Sequence, residues 1–104
     1  LEAYDAYIRR NLREHFLGAV RMPGPLLLAR GDAVYVELEV HDDDGAVHHT
    51  AFKFTFEPGT SHMVRLRALL AAVLDEGERL IPPSMRSALR QGEAMLAAIR
   101  RWSA

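Results

Sequence analysis

The sequence contains no cysteine. Disulfides, thiolate metal sites and a cysteine nucleophile are excluded, and so is the small secreted scaffold stapled by disulfides. Lysine is almost as scarce: Lys53 is the only one among thirteen basic residues, and Asn11 and Gln91 are the only side-chain amides. Such usage points to a GC-rich genome or to a thermophile that sheds thermolabile residues, and speaks to source more than to function. Long hydrophobic runs are missing too. The longest wholly apolar stretch, Ala68 to Leu74, is far shorter than the roughly 20 residues that cross a bilayer. The first residues are acidic and amphipathic where a signal peptide would be basic and then apolar, so the expectation is a cytoplasmic protein with no membrane partner. Charge of one sign is absent as well. A formal net charge of -1 gives no field to steer the whole molecule onto nucleic acid, although it leaves room for a local basic face.

What is present fits one globular domain spanning 1–104, with 49% hydrophobic and 26% charged residues spread along the length. Tyr4, Ile8, Leu12, Phe16 and Val20 recur every fourth position and predict an amphipathic helix from Glu2 to Val20, ended by Met22-Pro23-Gly24-Pro25. A first strand is read from Leu26, and Arg30-Gly31-Asp32 is turn chemistry. Ala33 to Val40 alternates strictly, with Val34, Val36, Leu38 and Val40 on one face and Tyr35, Glu37 and Glu39 on the other. After Asp42-Asp43-Asp44-Gly45 a third strand runs from about Ala46 to Phe56. A three-residue loop, Asp43-Asp44-Gly45, sets Val40, Leu38, Val36 and Val34 across from His48, Thr50, Phe52 and Phe54, and so places the two phenylalanines in the core. Thr60 or Ser61 caps a helix through Leu74, with Gly77 as its C-cap. A last helix starts at Ile81-Pro82-Pro83-Ser84 and carries Met85, Leu89, Gly92, Leu96 and Ile99 at alternating spacings of four and three.

The fold class is therefore α+β, in the order α-β-β-β-α-α, with a three-stranded antiparallel meander and the helices mainly on one face. The first five elements are similar in topological order to double-stranded-RNA-binding domains. Those carry a basic Ser-Lys-Lys type cluster at the start of the helix after the third strand, where this chain reads Ser61-His62-Met63-Val64-Arg65; the resemblance is one of topology and implies no function.

Three places can hold chemistry. At the hairpin, Glu39, His41 and His49 share the outward side within reach of a divalent metal, although a polar, solvated hairpin tip explains the same residues. Asp42-Asp43-Asp44 lacks the spaced ligands and final glutamate of a calcium loop. Arg9, Arg10 and Arg13 on the first helix, with Arg86 and Arg90 on the last, form a basic strip for nucleic acid if those helices lie side by side. No aromatic platform interleaves with them, which favours an ordinary solvated face. No Gly-x-Ser-x-Gly elbow, phosphate loop or perturbed carboxylate pair is evident, so an enzyme is unsupported and no cofactor is called for.

The third place is apolar. A two-residue Gly31-Asp32 turn would bring Leu26 and Leu28 beside Tyr35 on the outward sheet face, and the seam of Met85, Leu89, Leu96 and Ile99 wants a partner helix. The last helix, with Trp102 near its end, or a second copy would cover the sheet patch. The expected function is that of a non-catalytic interaction module, a homodimer that acts by binding another macromolecule, with another protein as an alternative partner. Nucleic-acid binding through the arginines and metal-dependent or acid/base chemistry at the hairpin are the alternatives.

Overall fold

The computed structural model describes residues 1–103. Its elements are α1 (Glu2–His15), β1 (Val20–Arg21), β2 (Leu27–Leu28), β3 (Ala33–His41), β4 (Val47–Thr55), α2 (His62–Leu80) and α3 (Pro83–Ser103). All pairings are antiparallel, and β3 is central. Because β4 pairs along the whole of β3, β1 and β2 must share its other edge, one at each end. They are in effect one strand broken at Met22-Pro23-Gly24-Pro25, where two residues without an N–H cannot continue the ladder. The class and element order are those the sequence implies, with a sheet of four strands where three were expected.

Ile8, Leu12 and Phe16, from α1 and its end, join Leu69 and Val73 of α2 in one core with Val34, Val36, Leu38 and Val40 of β3. The opposite face of the sheet, with Tyr35, Glu37, His49 and Lys53, is exposed. The second hairpin has the expected register: Val34 pairs with Phe54, Val36 with Phe52, Leu38 with Thr50 and Val40 with His48. Asp42 N–H donates to Ala46 O at 2.9 Å to close the three-residue loop, and Gly45 sits at φ +82°. Phe52 and Phe54 face the helices as expected yet stay half-buried, since β4 is the outer strand and no further strand pairs with it among the described residues.

Four expectations are corrected. The first helix stops at His15, because Leu17 and Gly18 both adopt left-handed backbone (φ 53° and 84°), so Val20 belongs to β1. The first turn holds three residues: Ala29 N–H donates to Ala33 O, Leu27 pairs with Tyr35 and Leu28 with Val34. That register turns Leu26 into the core at 4% exposure, while Leu28, at a corner beside Leu1 and Tyr4, is 73% exposed. The helix expected to end at Leu74 continues to Leu80, and Gly77 lies buried inside it. There a β-carbon would stand 2.7 Å from Cε2 of Phe16 and 2.8 Å from its Cζ, so glycine is required by the close approach of the ring and not by a turn. Ser61 caps α2 as expected, accepting from Val64 N–H.

A half-buried clamp fixes the broken strand. Arg9 Nη1 donates to Met22 O at 2.9 Å and Nη2 to Gly24 O at 2.8 Å, while Asp5 holds Arg9 Nε at 2.5 Å and accepts Leu26 N–H at 3.0 Å. Partial burial works to raise the pKa of Asp5, but the hydrogen bonds from Arg9 and from Leu26 N–H, with the charge of Arg9, outweigh it and hold the carboxyl below its usual range. A depressed carboxylate stabilises the fold above its unfolded pKa of about 3.9 and loses that contribution as pH falls through the folded value. Asp5→Asn is therefore expected to lower stability by about 1 kcal/mol at neutral pH, less than the roughly 1.5–3 kcal/mol of a charged hydrogen bond because Arg9 is partly solvated. In urea titrations the gap from the unmodified protein should start to narrow below about pH 3.9 and close as pH falls through the lower folded value; a constant gap down to about pH 2 would show that the charge of Asp5 contributes nothing.

Candidate functional site

Helix α3 begins where the chain has to break. Ile81 and Pro82 each precede a proline and are kept out of helical conformation, and Pro83 then opens the new helix at a position whose N–H would have no partner. Arg86 donates from Nε to Ile81 O and from Nη2 to Glu78 O, both at 3.4 Å, reaching back to the free carbonyls at the end of α2. Alanines at 88, 94, 97 and 98 favour the helix, and Arg100 and Arg101 sit in its last turn where the dipole favours cations.

Only the first half of α3 is packed. Met85 and Leu89 rest against the core, and Leu17 seats its Cδ1 just 2.6 Å from where a β-carbon of Gly92 would be. From there to Ser103 the helix runs on for about 16 Å with no element packed beneath it among the described residues. Its seam is bare: Met95 is 66% exposed, Leu96 39%, Ile99 54% and Trp102 92%, and no residue of α3 is buried. The shape reflects this. The radius of gyration of 15.2 Å exceeds the roughly 13 Å expected of a compact chain of this length. The accessible surface of 6972 Å² exceeds the norm for this mass by about 1,100 Å².

Of the residues expected at an interface, Leu96 and Ile99 lie on this free segment. Met85 and Leu89 are partly used within the chain, and Leu26 is in the core. Leu28 and Tyr35 are exposed but do not share a patch, since the three-residue turn sends them to opposite faces. The outward face of the sheet gains no cover from Trp102. Met95 and Trp102, one heptad apart beside the seam, complete the apolar stripe, and their spacing is the signal that could have placed them there.

The other candidate groups are dispersed. In the hairpin each histidine turns to a different carboxylate: His41 to Glu39 at 3.3 Å, His49 to Glu37 at 3.9 Å, and His48 to Asp42 at 2.9 Å. Glu39, His41 and His49 share no common point, and among the described residues no set of three metal-ligating side chains converges. Hydrogen bonds from His48 and from the N–H groups of Ala46 and Asp44 hold the Asp42 carboxyl below its usual range, so this group is committed to shaping the turn. The arginines do not form a strip. Arg9 is engaged in the clamp, Arg10 lies over the Tyr7 ring, Arg86 reaches back to α2, and α1 meets α3 only near its end, around His15 to Leu17. Arg13 and Arg90 are exposed on different helices. Among the described residues no helix is long and apolar enough to cross a membrane.

Compared with protein-family models, with curated proteins and with solved structures, the chain matches none.

Proposed function

We propose that the protein is a non-catalytic interaction module that acts through the free half of α3, and that its partner is a second copy of itself. The observation that carries this reading is the bare stripe of Met95, Leu96, Ile99 and Trp102 on a helix that leaves the domain. Monomeric proteins rarely hold such a stripe in water, because each large apolar side chain left exposed forgoes about 1.5–3 kcal/mol of burial. The surplus surface of about 1,100 Å², counted over all sides of the molecule, leaves room for the roughly 800 Å² that each partner gives up in a standard interface. A closed twofold pair covers the stripe and leaves nothing open to continued assembly.

Trp102 is the only tryptophan and lies on the stripe, so it reports on the contact directly. Its fluorescence should move to the blue as concentration rises from nanomolar to about 100 µM and return on dilution, following one mass-action curve. Emission that stays that of a water-exposed indole over the whole range would count against the contact.

A further inference from the structure

The charges flanking the seam go further and select one arrangement. We infer that two copies join through antiparallel α3 helices, with Leu96 of each lying across from Ile99 of the other and Glu93 of each paired with Arg100 of the other. This rests on the self-association proposed above and adds its geometry. In the heptad defined by the seam, Leu89 and Leu96 occupy a, while Met85, Gly92 and Ile99 occupy d. Glu93 and Arg100 then fall at e, and Met95 and Trp102 at g. In an antiparallel pair, a packs against d, e meets e and g meets g. With Leu96 across from Ile99, the two e contacts are both Glu93 with Arg100 and the two g contacts both Met95 with Trp102. Apolar groups meet apolar groups and opposite charges meet on both sides of the twofold axis.

The alternatives fail by the same reckoning. Sliding the pair one heptad toward the start of the helix sets Arg86 against Arg100 and Glu93 against Glu93, and requires Leu89, which the chain's own core already uses. Sliding it one heptad the other way sets Arg100 against Arg100. A parallel pair leaves Glu93 opposite Ala88 and Arg100 opposite Met95, with no charge matched, and crowds both domains at one end. Among the described residues neither Glu93 nor Arg100 has an ion-pair partner within its own chain, so both are free for the contact. Leu17 on Gly92 closes the intramolecular contact where the proposed one begins.

The test is a charge exchange read by sedimentation equilibrium. Glu93→Arg alone and Arg100→Glu alone should each weaken self-association by about tenfold, since each places like charges at both e contacts. The double variant Glu93→Arg/Arg100→Glu should return to within about twofold of the unmodified protein. Both positions are exposed, and circular dichroism checks that each variant folds. The lack of cysteine allows a second, independent readout. A mixture of Leu96→Cys and Ile99→Cys proteins in a glutathione buffer should yield the mixed disulfide over either homodimeric one. Self-association that depends on Leu96 but shows no rescue, or a dominant cross-link between two copies of position 96, would overturn the antiparallel register and leave the self-association standing. A protein monomeric at all concentrations would overturn the self-association as well, and a dimer indifferent to Leu96→Asp would overturn its placement on α3.

Discussion

Phe16→Ala should lower the unfolding free energy by about 3–5 kcal/mol, the range for truncating a fully buried aromatic ring. The ring stands where α1 ends and fills the space that Gly77 leaves on α2, with its Cε2 and Cζ inside the reach of any β-carbon there. The same contact makes Gly77→Ala depart from the usual rule. In an exposed helix interior that change stabilises by about 1 kcal/mol, whereas here overpacking costs about 1–3 kcal/mol and the net effect should be a loss. Once the ring is gone the penalty has no source. In the Phe16→Ala background, Gly77→Ala should therefore be neutral or stabilising, so that the two changes couple by more than about 1 kcal/mol. Urea unfolding of the four proteins measures this, and strict additivity would mean that ring and glycine do not meet.

The second large effect concerns association. Leu96→Asp places a carboxylate in the middle of the proposed contact in both copies, and each must either lose its hydration or hold the helices apart. The dissociation constant should rise by more than about a hundredfold, equivalent to roughly 1.4 kcal/mol or more per copy. The monomer should unfold at the same urea concentration as before, since Leu96 is not part of the core. Lys53→Asp on the outer strand makes a useful contrast. The outer edge of β4 has no paired strand among the described residues, and Lys53 stands on that strand in the manner of a residue that discourages edge pairing. If dimers form through α3, Lys53→Asp should leave their affinity unchanged; if it abolishes them, the contact is at the sheet edge.

Much of this structure can be read from the letters, and the exceptions have physical causes. The β3–β4 register is legible because strict alternation in β3 leaves one facing set, Phe54, Phe52, Thr50 and His48, that does not waste the core side. The β2–β3 register is not, because Leu26-Leu27-Leu28 carries no alternation and cannot tell a two-residue turn from a three-residue one. The end of α1 is hidden by coincidence. Phe16 and Val20 continue the every-fourth pattern and are indeed buried, but they reach the core from a turn and a strand after Leu17 and Gly18 reverse the backbone. Gly77 reads equally as a cap or as a contact, and only the position of Phe16 decides. The α3 seam is fully legible as an amphipathic stripe. That its first half is covered from within and its second half is not depends on where Leu17 and the core come to lie, which periodicity does not encode.

The most direct measurement is sedimentation equilibrium of the unmodified chain at several concentrations up to about 100 µM. A species of twice the monomer mass, dissociating on dilution and lost on Leu96→Asp, is the expected result. A single monomeric mass at every concentration would contradict the central claim, for α3 would then carry its apolar stripe into water with no second copy to cover it.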